Sequence, residues 1–100
     1  MRLKARTDGN HTAIVDAFRA MGASVLDLSR MGRGCPDLLL GWHGRCFLVE
    51  VKDGKLSASR RKLTPDQVDF HAYWRGQLAI VTSVDEAIEL LKGAGHAHSA

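Results

Sequence analysis

Residues 35–54 read CPDLLLGWHGRCFLVEVKDG. Two near-continuous apolar runs, Leu38 to Leu40 and Phe47 to Val49, lie on either side of the pair His43-Gly44. Runs of that kind suit strands covered on both faces, and a glycine-containing pair between them suits a two-residue hairpin loop, in which glycine accepts the positive φ that such turns demand. The turn sets the register. With His43-Gly44 at the tip, Trp42 faces Arg45, Gly41 faces Cys46 and Asp37 faces Glu50. A four-residue loop from Trp42 to Arg45 keeps this pairing, whereas a bulged three-residue loop shifts it.

Directly opposed residues share a face with Cβ atoms about 5 Å apart, and Lys52, two positions beyond Glu50, points the same way. Asp37, Glu50 and Lys52 therefore converge. Lys52 could simply neutralise the acids on a solvated face, but the apolar flanks place the charges where a buried hairpin meets a cleft. Pro36 and the glycines at 32 and 34 shape that edge and leave its backbone open. Two carboxylates so close repel unless a cation lies between them. Oxygen ligands with room for water favour Mg²⁺, with Mn²⁺ able to substitute, over zinc. The backbone carbonyl of Val51 is a further candidate ligand. A lysine beside such a metal orients a water for attack on phosphorus, which is the chemistry of metal-assisted phosphodiester hydrolysis.

Ahead of the hairpin, Ile14, Val15, Phe18 and Met21 recur at helical spacing, with Asn10 as the expected N-cap and Gly22 as the expected stop. The segment ASVLDLSR reads as a strand ending in the glycine-rich MGRG. After the hairpin, Asp53 to Leu63 is polar and basic without periodicity, the pattern of a mobile surface loop. Thr64-Pro65-Asp66-Gln67 forms a capping box with proline at the first helical position. That helix runs to about Trp74, and Gly76 precedes the apolar strand QLAIV. Ser83 to Glu86 forms a second capping box, opening a short helix that Gly93 should end. Residues 93–100 then read as a disordered tail and residues 1–92 as one domain. The order is α-β-β-β-α-β-α. It predicts an α/β fold with a mixed central sheet and flanking helices, the first three strands antiparallel and the last parallel to the third through a right-handed crossover.

A chain of 100 residues, 45% hydrophobic and 25% charged, fits one core. No apolar run reaches the roughly 20 residues that span a bilayer, and MRLKARTDGN lacks an apolar leader, so a soluble intracellular protein is expected. Cys35 and Cys46 stand in no metal-binding or disulfide array and read as buried or half-buried thiols. The net charge is +3, and basic residues are grouped: Arg2, Lys4 and Arg6, then Lys52, Lys55, Arg60, Arg61 and Lys62. Such grouping favours a polyanionic partner.

Pro36-Asp37 followed by Glu50-Val51-Lys52 resembles the PD-(D/E)xK nuclease signature. With the GCPDLLLG lead-in, the LTPDQ helix start and the VTSVDEA segment, residues 10–92 are similar to small phage and bacterial VRR-NUC domains, relatives of archaeal Holliday junction resolvases. The resemblance implies a restriction-endonuclease-like core and a cytoplasmic protein of a bacterial or phage-infected cell. It further implies that Asp37 and Glu50 hold the metal, that Lys52 activates or orients the water, and that Gln67 steadies the lysine or the scissile phosphate. Gln67 has a capping role that needs no active site, and both roles can coexist because its amide has separate donor and acceptor ends. Family members often carry a glutamate on the first helix as an additional metal ligand, and this chain has none there. Either His11 takes its place, directly or through water, or the ligand is missing; a histidine near a helix start is otherwise a surface residue. Asp16 falls on the opposite face.

No base-reading element is evident, so DNA would be selected by shape. Arg30 and Arg33 before Asp37, and Lys55, Arg60, Arg61 and Lys62 after Lys52, bracket the cleft and suit phosphates. Trp42 and Trp74 could stack on unpaired bases, but packing in the core or at a dimer interface is the favoured explanation. The expectation is a Mg²⁺-dependent, structure-selective DNA endonuclease with no organic cofactor. Branched DNA such as Holliday junctions is the leading substrate, and a homodimer would place two cuts symmetrically, as recombination and repair require. Flap cleavage or nicking of simple duplexes remains open, as does a non-catalytic DNA-binding module on the same fold.

Overall fold

The structure, a computed structural model, describes residues 8–97. Arg2, Lys4, Arg6 and the last three residues lie outside this range. Helix α1 spans His11–Ala20 and is followed by strands β1 (Ser24–Asp27), β2 (Leu38–Trp42) and β3 (Arg45–Val51). A 3₁₀ turn at Ala58–Arg60 then leads to helix α2 (Pro65–Tyr73), strand β4 (Leu78–Val81) and helix α3 (Val84–Ala97). The four strands form one sheet in the order β1-β2-β3-β4, with β1, β2 and β3 antiparallel and β4 parallel to β3. This is the expected element order and the expected mixed sheet.

The hairpin register follows from its turn. Trp42 pairs with Arg45 and Gly41 with Cys46, and the ladder continues to Leu38 with Val49. His43 and Gly44 both take positive φ, 48° and 77°, as the favoured two-residue turn requires.

Alternation along β3 divides the molecule. Phe47, Val49 and Val51 point to the face that also carries Leu38, Leu40 and Val81, and there they meet Ile14, Val15 and Phe18 of α1 and Ala87, Leu91 and Ala94 of α3. Burying side chains of this size stabilises the fold by roughly 1.5–3 kcal/mol each. Leu48, Glu50 and Lys52 point to the opposite face, toward α2, so β3 is covered on both sides from Phe47 to Val51. The rest of that second face is open: Leu26 and Ile80 are exposed, and so is Cys46, against the expectation of a covered thiol.

Three boundaries differ from the sequence reading. Asn10 precedes α1 but makes no side-chain cap; its amide nitrogen donates instead to the carbonyls of Lys52 (3.1 Å) and Thr82 (3.0 Å), tying the helix to the ends of β3 and β4. Strand β1 stops at Asp27, whose carboxylate accepts from the backbone and hydroxyl of Ser29 and turns the chain. Helix α3 continues through Gly93 to Ala97, because Leu91 and Ala94 on either side of the glycine are buried in the core. That packing outweighs a helical glycine's penalty of about 1 kcal/mol. Among the described residues no helix is long and apolar enough to cross a membrane.

Gly34, at φ 78°, packs against the first turn of α2: a Cβ built on it would collide with the carbonyl of Asp66. Gly44 has comparable φ but open space around it. In urea unfolding, Gly44→Ala is therefore expected to cost about 1 kcal/mol, the strain of a left-handed alanine. Gly34→Ala must also displace α2 and should cost more than about 2 kcal/mol; equal losses would contradict the close contact.

Candidate active site

The ends of β2 and β3 carry the paired acids. Continuing the hairpin register by one step sets Asp37 opposite Glu50, and Asp37 Oδ2 accepts the backbone N–H of Val51 at 2.8 Å. The N–H and C=O of one strand residue point to the same side, so the Val51 carbonyl is directed toward Asp37 as well. Glu50 is only 2% exposed. Its Oε2 accepts the amide of Gln67 at 3.0 Å and lies 4.0 Å from Lys52 Nζ, while its Oε1 is buried without any hydrogen-bond partner.

Gln67 organises the other side. Its backbone N–H donates to the Thr64 hydroxyl (3.3 Å) and its Oε1 accepts the Thr64 N–H (2.9 Å), completing the capping box. The same Oε1 accepts from Lys52 Nζ at 2.8 Å. One amide thus caps α2, holds the lysine and donates to the glutamate.

Burial raises the pKa of both acids. Desolvation is the largest cause at Glu50, followed by the charge of Asp37, and together they push it up to about 8. Asp37 is also raised, chiefly by burial, against the lowering pull of the Val51 N–H. Asp8, just ahead of α1, adds negative charge that bears on both. An orphaned, buried carboxylate oxygen beside a second carboxyl is the environment in which a cation replaces a proton. Among the described residues no three His, Cys, Asp or Glu side chains converge to cage a metal. The protein's share would be two carboxylates and a carbonyl, with water completing the shell, which fits Mg²⁺ and Mn²⁺.

His11 is not a surface residue. It is 8% exposed, its Nε2 lies 3.1 Å from Asp27 Oδ2, and its Nδ1 is buried without a partner. Its charge bears on Asp37, so it sits near the acids but outside any direct cluster. Asp16 is exposed on the far side of α1. Arg30, Arg33, Lys55, Arg60 and Lys62 are exposed, while Arg61 is half-buried and donates from Nε to the Leu56 carbonyl. Arg33 lines a shallow cavity with Asp66, Asp69, Phe70 and Tyr73, so acids share its surroundings. Trp42 packs against the core and stacks on His43, and Trp74 stacks on Phe70 at the end of α2.

Sequence reasoning missed three participants: the Asn10 bridge, the Asp27 partner of His11, and His71. Only His71 had a signal, its position one helical turn after Gln67. No family model, no curated protein and no solved structure matched the chain.

Glu50 titrates near 8 in the folded protein and near 4.5 in the unfolded chain. The folded state therefore keeps a proton that the unfolded state has released, and the stability this confers is full below about pH 4.5 and lost as pH rises through about 8. Without metal, the thermal midpoint should fall between about pH 5.5 and about pH 8.5, by the equivalent of a few kcal/mol. Glu50→Gln should flatten that slope, and Mg²⁺ at the higher pH should stabilise the native protein but not the variant. Identical slopes in both proteins would overturn this account of Glu50.

Proposed function

We propose that the chain is a Mg²⁺-dependent, structure-selective DNA endonuclease of the PD-(D/E)xK type on a restriction-endonuclease-like core. The observation that carries this reading is the buried, unpartnered Oε1 of Glu50, set beside Asp37, while the other oxygen of the same carboxylate is held by Gln67 next to Lys52. Asp37, Glu50 and the Val51 carbonyl would hold the metal. When bound, Mg²⁺ would draw the scissile phosphate into place and offset the negative charge that builds on it during attack.

The chain's own groups supply the rest. Lys52, whose ammonium donates one proton to Gln67 and lies beside Glu50, would orient the attacking water with another. Gln67 fixes Lys52 and Glu50 relative to each other, so that charge, water and phosphate meet without reorganisation. His11, held by Asp27 through Nε2, would bear on the site only through its nearness to Asp37. Arg30 and Arg33 on one side, and Lys55, Arg60, Arg61 and Lys62 on the other, would contact phosphates on either flank.

Branched DNA such as a four-way junction is the leading substrate, and a homodimer would supply the second cut. A labelled four-way junction and a matched linear duplex, each with Mg²⁺, Mn²⁺ or EDTA, test this directly. Paired, metal-dependent cuts in the junction are expected, with losses of at least about 100-fold in Asp37→Asn, Glu50→Gln and Lys52→Ala. Gln67→Ala should lose about 10-fold or more, and Thr64→Ala, which removes only the cap, far less. Salt-sensitive binding with no cleavage under any metal would replace this reading with a non-catalytic DNA-binding module.

A further inference from the structure

The attacking water must give up a proton, and the groups already assigned do not take it. Asp37 and Glu50 are committed to the cation, the Lys52 ammonium has only donors, and the Gln67 amide is not basic. His71 lies four residues after Gln67 on α2. Helical side chains four apart share a face and lean toward the helix N-terminus, so the imidazole lies over the turn whose amide holds both Lys52 and Glu50. Its Nε2 is buried and makes no hydrogen bond.

We propose that His71 is the proton acceptor of the reaction, with Nε2 receiving the proton of the water that Lys52 orients. This rests on the endonuclease reading and deepens it. In the tautomer protonated at Nδ1, Nε2 carries a lone pair that no protein donor occupies. As the water oxygen forms its bond to phosphorus, its proton passes to Nε2 and the bond from phosphorus to the leaving oxygen breaks. The leaving oxygen takes a proton from solvent and His71 returns its own, so the cycle balances without oxidant or further reactant.

The local electrostatics agree. Partial burial, and then the positive charge of Lys52, lower the His71 pKa below its usual value, which favours the neutral ring. Lys52, just past the end of β3, is the charged group that bears on it; Gln67, its neighbour on α2, is uncharged.

The test uses the full chain, Mg²⁺ and the four-way junction. His71→Ala is expected to lose about 100-fold or more in the rate of cleavage while binding the junction as tightly as the native protein. Added imidazole should restore cleavage, and a series of substituted imidazoles should restore it in order of their basicity, which a packing defect would not produce. Histidine NMR of the metal-free protein gives a readout independent of turnover: the His71 pKa should rise in Lys52→Met. Native cleavage with an unimpaired His71→Ala variant, or rescue indifferent to basicity, would overturn the role of His71 alone. An inactive native protein would overturn the endonuclease reading and this proposal with it.

Discussion

Glu50 is a carboxyl group in the middle of a hydrophobic construction. It continues a strand whose neighbours Val49 and Val51 are almost wholly buried, and it is as inaccessible as they are. An ionised carboxylate in such a place is strongly disfavoured unless paired. The arrangement around it supplies incomplete relief: one oxygen receives an amide and has a lysine nearby, the other receives nothing, and a second acid stands across the hairpin. A fold selected only for stability would place an apolar residue there. Such an acid, facing its like, holds a proton until a cation takes its place.

Helix α2 illustrates how closely this demand is woven into the architecture. It contributes no buried residue. Its position depends on the close approach of Gly34 to its first turn and on the Gln67 amide bridging Glu50 and Lys52. The helix therefore orients the polar groups, and the polar groups in turn hold the helix. A side chain that shares its donor and acceptor ends between a cap and a site cannot be replaced without disturbing both.

Much of this was legible because it is local. The His43-Gly44 turn fixes a register that brings Asp37 and Glu50 together, and the threonine-to-glutamine spacing announces the start of α2, although nothing in that spacing says that Gln67 also reaches the acids. Other contacts depend on packing that no short window contains. Asn10 spans 42 and 72 positions to reach its two carbonyls, and His11 finds Asp27 only once α1 lies across the end of β1. The C-terminal helix outran its glycine because burial of Leu91 and Ala94 overrides local propensity. Cys46 is open because the helix on its side of the sheet lies over the acids and leaves the hairpin's other end bare.

The hairpin has two ends with opposite character. At one, backbone and side chains are committed to the acids; at the other, about 20 Å away at roughly 3.3 Å per strand residue, His43 and Gly44 are exposed and nothing crowds Gly44. The length of β3 between them, covered on both sides from Phe47 to Val51, acts as a mechanical standoff. A fluorophore, an affinity peptide or a tether to a surface joined at that tip would report on the molecule, or hold it, without entering the cleft.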